Sequence, residues 1–314
     1  MALALLPTFR QHARYLFDEF LEDLQTGHNV RATVFVEVHA MYRARATEAL
    51  RSVGEVEFAN GMAAIAASGE FGDLAMCAGI VGSVDLRLGD AVEEVLHAHL
   101  RAGGGRYRGI RATAVVYDDD RRSLGDFGGV PHLMLDPTFR QGFRHLERLG
   151  LSYDAWQLEY QLPELMDLAR SFPGVPIIVN HIGGLFGIGS HSGSSESRFA
   201  QWQRNIRLLS ECPNVTMKLG GLGMPTTGLT QRTDAIPSSH ELAVRWRPYI
   251  EACIEAFGVR RCMFESNYPV DAATASYPVL WNTFKRITSG ASRQEKAALF
   301  YETAKRVYRL EDAA

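Results

Sequence analysis

Two hydrophobic rhythms alternate along this chain. Short runs rich in β-branched residues recur at 30–38, 77–84, 109–116, 151–158, 175–180, 215–219 and 261–266, and some, such as Pro176-Ile-Ile-Val179, are apolar almost without a break. A half-wet strand alternates polar and apolar side chains, whereas an unbroken apolar run is what a parallel strand covered on both faces requires. The stretches between these runs carry helical spacing. Over 90–102, Val92, Val95, Leu96 and Leu100 fall on one face, and Gly103-Gly104-Gly105 supplies a stop. Pro137 opens another helix, with Phe139, Phe143 and Leu146 on its apolar stripe. Further helices are expected at 12–24, 163–171, 196–210, 239–257 and 277–288. A last one, 292–308, starts with Ser292 and has Glu295 three residues on, the pattern of a capping box.

Strand then helix, repeated about seven times, predicts an α/β protein with a parallel sheet. No Gly-rich phosphate turn follows the first strand, and the glycines at 103–105 come after a helix, so no nucleotide cofactor is expected. The pattern therefore predicts a TIM (β/α)8 barrel. Seven of its eight strands are visible. The chain opens on the helix at 12–24, which would follow a first strand, so the expectation is a single barrel domain over 1–314 that lacks strand 1 and is incomplete at its N-terminus.

Composition narrows the partners. The chain has 314 residues, 46% of them hydrophobic, and a formal net charge of −3 with Lys and Arg scattered. A nucleic-acid binder carries a clustered basic footprint, and a membrane span needs about 18 apolar residues in a row; neither is expected here. The four cysteines form no Cys-x-x-Cys pair, and Cys77 and Cys262 lie in strand-like runs where small buried thiols are ordinary. A reducing, cytoplasmic setting and a small-molecule substrate are the expectation, with homo-oligomerisation left open.

In such a barrel the reacting groups stand at the C-terminal ends of the strands. That rule selects Glu37 and His39 after the first run, Asp85 after the next, Arg111, Asp154 and Glu159, His181, Lys218, and Glu265, Asn267 and Asp271. A neutral imidazole at His181 can bind a divalent metal or polarise a carbonyl, or can be a hydrogen-bonded structural group. Arg111 can hold a carboxylate through two hydrogen bonds, or can pair with a barrel acid such as Glu37. Lys218, midway along an apolar strand, requires an acidic partner or a wet barrel mouth. Glu37 and His39, two apart, point the same way and can form one cluster, or stand solvated at the rim. The Gly/Ser-rich 187–197 reads as a flexible loop or lid on the same face. His28, His97, His99, His132 and His145 fall on helices or loops and are expected at the surface. No Gly-x-Ser-x-Gly elbow is present, so a serine nucleophile has no support.

Two segments, Val179-Asn-His-Ile-Gly-Gly184 and Cys262-Met-Phe-Glu-Ser-Asn-Tyr-Pro-Val-Asp271, resemble motifs of the amidohydrolase-related branch of the amidohydrolase superfamily, which includes 2-pyrone-4,6-dicarboxylate lactonases and sugar lactonases. Gly109-Ile-Arg111, Asp154-Ala-Trp156, Lys218-Leu-Gly-Gly221 and Trp281-Asn-Thr-Phe284 follow in the order of that branch. The resemblance implies hydrolysis of a small, often carboxylated, lactone, ester or amide, with His181 in the active site and one divalent metal, zinc or manganese, which His181 would ligate. Arg111 and Lys218 would grip the carboxylate, with Glu37, His39 and Glu159 nearby. Asn267 stands where the family places the Asp that takes a proton from water, so Glu265 or Asp271 would have to substitute. Ala112 and Glu159 stand where relatives carry His, and the strand-one His-x-His has no counterpart. A non-hydrolytic decarboxylase of the same superfamily and a catalytically impaired paralogue are the alternative readings.

Overall fold

The structure is a computed structural model that describes residues 14–115, 129–187, 195–229 and 236–311. Each apolar run overlaps a strand: β1 (Ala32–Val36), β2 (Ala75–Gly82), β3 (Tyr107–Thr113), β4 (Ser152–Trp156), β5 (Ile177–Val179), β6 (Val215–Lys218) and β7 (Cys262–Met263). They form one sheet in sequence order, with every neighbouring pair parallel. Among the described residues β1 and β7 are its two edges. Helices precede, separate and follow the strands: α1 (Phe17–Leu24), α2 (Val53–Ala66), α3 (Val92–Ala102), α4 (Pro137–Arg148), α5 (Leu162–Ser171), α6 (Ser195–Ser210), α7 (Ser239–Phe257) and α8 (Tyr277–Ile287).

Period-two alternation separates two cores. One set of strand side chains, including Ile80, Ile110, Tyr153, Ile177, Val179, Val215, Met217 and Cys262, packs with the helices in the main cluster. The alternate set, Val34, Val36, Val81, Ile178 and Met263, gathers in a second cluster on the concave face. The sheet is thus curled into the barrel form, with polar side chains on β3, β4 and β6 and just after β1 and β7 meeting inside it.

The ladder of β7 is shorter than the run 261–266 suggests. The N–H of Phe264 leaves it for the carbonyl of Leu299, 2.9 Å away on the C-terminal helix. That helix begins as expected, with Ser292 capping the N–H of Glu295 and the Glu295 carboxylate accepting from the N–H of Ser292. It is not continuous: α9 (Arg293–Ala297) passes through a π-helical turn, Ala298–Glu302, into α10 (Thr303–Val307). The turn places Leu299 against β7 and Phe300 against the Phe264 ring, 4.6 Å between centroids.

Two of the histidines expected at the surface are buried. His99 on α3 lies between the Ser52 hydroxyl, 3.1 Å from Nε2, and the Val95 carbonyl, 2.9 Å from Nδ1. His145 on α4 meets Asp90 at 3.0 Å. Both sit on the helix faces that pack inward, where an imidazole can cover apolar surface while its nitrogens find partners. The His-Ala-His sequence at 97–99 is helical, so its two rings point apart, His97 outward and His99 inward. All four cysteines are buried free thiols. No helix among the described residues is long and apolar enough to cross a membrane.

Candidate active site

The inward positions at the strand ends are polar. Arg111, Asp154 and Lys218 alternate with Ile110 and Ala112, Tyr153 and Ala155, and Met217 and Leu219, all of which pack outward. A charge placed there loses its water and survives only if a partner replaces it. The partners form one continuous chain from β1 to β7. The Glu37 carboxylate, 1% exposed, accepts from Arg111 Nε at 2.7 Å, and its main-chain carbonyl accepts from Arg111 Nη2. Arg111 Nη1 donates to the Asn180 amide oxygen at 3.3 Å, and Asn180 Nδ2 donates to Asp154 Oδ1 at 3.2 Å. Lys218 Nζ donates to the same Asp154 oxygen at 2.8 Å and stands 3.6 Å from Glu265 Oε2. The other Glu265 oxygen meets His181 Nδ1 at 2.7 Å and accepts the His181 N–H at 3.1 Å.

These contacts set the acids. Burial alone would raise Glu265, but the neighbouring His181 and Lys218 outweigh it and hold the carboxyl at about 2. Burial likewise opposes ionisation of Glu37, and Arg111 followed by His39 brings it down to about 2. His39 Nε2 stands 2.9 Å from the second Glu37 oxygen, a contact that raises the imidazole. Behind this cluster Glu55 accepts the N–H groups of Val38 and Ala40, and burial then the charge of Glu37 push it up to about 7.

The backbone around His181 is unusual. Four successive residues, His181, Ile182, Gly183 and Gly184, have φ of 52°, 49°, 83° and 72°, a single left-handed turn directly after β5. A left-handed residue that carries a Cβ costs about 1–2 kcal/mol, so Asn-His-Ile-Gly-Gly holds this shape because the surroundings enforce it. A Cβ on Gly184 would stand 1.8 Å from the Gln157 carbonyl oxygen. Across the site, a Cβ on Gly221 would stand 2.6 Å from the His181 side chain. The ring of Trp156 meets the imidazole edge-on at 4.7 Å. His181 is thereby fixed in position and orientation, with Nδ1 on Glu265 and Nε2 as its other reactive atom.

The structure brings His181, Glu265, Lys218, Arg111, Glu37 and His39 into one network. Glu159 joins an ion pair at 3.7 Å with Arg198 of α6. Asn267 donates from its amide to Asp271 Oδ1 at 2.8 Å, and Asp271 Oδ2 accepts the Gly223 N–H at 3.3 Å. Burial, aided by the charge of Glu265, raises Asp271 to about 8, so it is largely protonated near neutral pH and ties the loop after β6 to that after β7. Of the 187–197 segment, residues 188–194 lie outside the described residues. Asp154, marked in the sequence only as one of several strand-end acids, is central to the network, as is Asn180, which did not stand out. The signal for Asp154 was Lys218, whose burial demanded an acid. Tyr308, whose hydroxyl lies 2.8 Å from Asp154 Oδ1 and 3.0 Å from Oδ2, gave no signal at all.

The amidohydrolase family profile matches residues 17–310. The chain is 38% identical to the protein y4mH of Sinorhizobium fredii over 74% of its own length and 70% of the relative's. It is 29% identical to an L-fucono-1,5-lactonase of Burkholderia multivorans, over 77% of this chain and 75% of the lactonase. Among solved structures, an amidohydrolase of Burkholderia multivorans superposes with a TM-score of 0.74 at 24% identity, covering 99% of this chain and 94% of its own. A second crystal form of that amidohydrolase, TM-score 0.72 at 23% identity with the same coverage, has zinc bound.

The described residues of this chain do not fit a divalent cation by themselves. No three His, Cys, Asp or Glu side chains among them gather as a metal would need. The acids at the strand ends are already matched, Glu37 to Arg111, Asp154 to Lys218 and Glu265 to His181. His181 offers one ring nitrogen away from Glu265, and one nitrogen is a ligand but not a site.

Proposed function

The chain belongs to the amidohydrolase family, and on that premise we propose that it hydrolyses the ring ester of a small neutral lactone, with His181 as the general base and Glu265 as the group that orients it. The observation that carries this reading is the 2.7 Å contact between His181 Nδ1 and Glu265 Oε1 at the strand ends.

A base works best when its affinity for protons lies near the working pH. Glu265, held at about 2, is a weak base and does not itself suit the task of removing a proton from water. It suits the other task. Its oxygen accepts Nδ1–H, which fixes the tautomer that exposes the Nε2 lone pair, and its charge stabilises the imidazolium once formed. Water gives its proton to Nε2 as its oxygen attacks the lactone carbonyl. The tetrahedral adduct collapses with cleavage of the ring C–O bond, and the proton on Nε2 passes to the departing alkoxide. The Asn267 amide cannot accept that proton, and Asp271 is buried with one oxygen taken by the Asn267 amide and the other by the Gly223 N–H.

Substrate charge follows from the pairing. Arg111 and Lys218 were expected to grip a carboxylate, but their hydrogen bonds go to Glu37, Asn180 and Asp154. Three acids face two fixed cations in the network, which gives an anionic ligand no net attraction. A hydroxylated, uncharged ring such as a sugar-acid lactone suits it better, and the likeness to L-fucono-1,5-lactonases supports the same class. The test is a panel of aldonolactones, lactones bearing carboxylates, and aromatic carboxylic acids. Ring opening of the neutral lactones with the highest kcat/KM is the expected result. Preference for the carboxylated lactones would overturn the substrate class, and carbon dioxide release without ring opening would overturn hydrolysis.

A further inference from the structure

The segment that follows α10 enters the barrel at Tyr308 and Leu310. After α10 the chain makes a Schellman turn: the Leu310 N–H returns to the Lys305 carbonyl at 2.9 Å, the Arg309 N–H to that of Arg306 at 3.3 Å, and Arg309 is left-handed with φ 49°. The turn sends Tyr308 and Leu310 into the second apolar cluster, against Val81, Ile178 and Met263 of the concave face. The barrel lining makes room for them. Gly79 stands where a Cβ would touch Leu310 at 3.0 Å.

Tyr308, 2% exposed, passes through this floor to the polar layer above. Its hydroxyl donates to both oxygens of Asp154, at 2.8 and 3.0 Å, and Lys218 Nζ lies 5.7 Å from the centre of its ring. Asp154 also receives Lys218 and the Asn180 amide, so a phenol 154 residues away in sequence fixes the acid on which Lys218 rests. We propose that Tyr308 is a positioning residue of the active site, which acts through Asp154 to hold Lys218 where its charge faces Glu265. This rests on the hydrolase reading above only for its kinetic consequence; the placement of Lys218 is a separate physical claim.

The argument turns on competition for one carboxylate. With the phenol donating, Asp154 divides its acceptor capacity among three donors, and Lys218 stays within 3.6 Å of Glu265. Without it, Asp154 draws Lys218 closer and away from Glu265, so the Glu265–His181 pair loses a positive neighbour. A tyrosine that only plugged the floor would show none of this, because phenylalanine fills the same volume.

The experiment compares Tyr308→Phe with Leu310→Ala in the full chain. Leu310→Ala removes apolar packing from the same cluster and leaves Asp154 untouched. The first readout is the Glu265 carboxyl followed by 13C NMR. Its midpoint is expected to rise by about one unit in Tyr308→Phe, as loss of a nearby cation requires, and to stay put in Leu310→Ala. The second is hydrolysis of the best lactone, where Tyr308→Phe is expected to lower kcat about 10-fold with KM nearly constant, the signature of a loss felt in the transition state. Leu310→Ala is expected to lower Tm while kcat stays within about twofold. An unmoved Glu265 midpoint in Tyr308→Phe overturns the positioning role whether or not the protein hydrolyses lactones. A moved midpoint with unchanged kcat overturns the role in catalysis. Equal effects of both variants on the midpoint reduce Tyr308 to packing. If the wild-type protein opens no lactone, the proposed reaction fails and the midpoint alone decides for or against Tyr308.

Discussion

Two imidazole–carboxylate pairs stand at the strand ends, and they are built from the same parts. His39 meets Glu37 at 2.9 Å and His181 meets Glu265 at 2.7 Å. Both histidines are left-handed, with φ of 58° and 52°, and each acid has a cation nearby. The difference lies in which partner owns the carboxylate. Glu37 belongs to Arg111, which takes one of its side-chain oxygens and its main-chain carbonyl, so His39 adds itself from the solvent side with 39% of its side chain exposed. Glu265 belongs to His181, which takes Oε1 twice, through ring and backbone, while Lys218 is held back by Asp154. If His181 is the base, as proposed, an acid beside a histidine is not enough to make one. The acid has to be left to the histidine, and the histidine has to be immobile.

The sharpest way to break this comparison is to remove each imidazole in turn. His181→Asn is expected to lower kcat for the best lactone by about 10²–10⁴-fold, the usual cost of losing a general base. His39→Asn is expected to stay within about threefold, since a half-exposed ring contributes little to a buried reaction. Steady-state kinetics on both variants decide it. Comparable losses would mean that both pairs carry chemistry.

The two cations separate the pairs by stability. Arg111→Met strands the buried Glu37 carboxylate with only the exposed His39 beside it, and breaking a buried pair from one side costs about 3–5 kcal/mol. Lys218→Met removes a cation too, but Asp154 keeps the Tyr308 hydroxyl and the Asn180 amide. Its cost is expected to be smaller, about 1–3 kcal/mol. Urea denaturation midpoints at neutral pH rank the two, and the reverse order would mean that the Tyr308 and Asn180 contacts do not support the charge on Asp154.

Much of the frame behind this comparison was legible in the sequence. Every strand overlaps a run that apolar continuity marked, with β2 and β3 starting two residues before theirs, because a sheet covered on both faces leaves little freedom to place a polar residue outside the concave side. The concave side itself broke the pattern visibly, at Arg111 in Gly-Ile-Arg and Lys218 in Met-Lys-Leu. What could not be read was pairing. Lys218 announced that it needed an acid, but Asp154, Glu265 and Glu37 were equivalent in sequence, and only strand register selects among them. Tyr308 was hidden for another reason. It occupies an apolar helical position, and its depth inside the barrel depends on a turn at Arg309 that no glycine marks. His99 and His145 were misread because helical periodicity says which residues share a face, but not that imidazoles will be accepted on the buried one.

Acid titration sharpens the Glu265 side. Its folded carboxyl, at about 2, lies below the ordinary value of 4.5. A depressed acid stabilises the fold above its unfolded value and loses that contribution as pH falls toward the folded one. The stability difference between wild type and Glu265→Gln is therefore expected to be full above about pH 5 and to close between there and pH 2, with a size on the order of 1–3 kcal/mol. Thermal unfolding across that range measures it, and a gap independent of pH would mean that charge is not what the site takes from Glu265.

The smallest expected effect has the opposite sign, on the Glu37 side. The hydrogen bond to Glu37 raises His39 above its ordinary 6.5, with burial opposing. A raised imidazole stabilises the fold fully below its unfolded value and loses that contribution as pH climbs through the folded one. With 39% of the His39 side chain exposed, solvent screens most of the interaction, so the change is expected to be less than about 1 kcal/mol. His39→Gln removes the titration, so its stability curve is expected to run flatter than that of wild type above pH 6.5. Salt discriminates further. Raising ionic strength is expected to weaken the His39 contribution while leaving the acid-side gap of Glu265→Gln nearly unchanged, because Debye screening reaches an exposed pair and not a buried one. Equal salt sensitivity of the two would mean that Glu265 and His181 are as wet as Glu37 and His39, and the distinction drawn between the two pairs would fall.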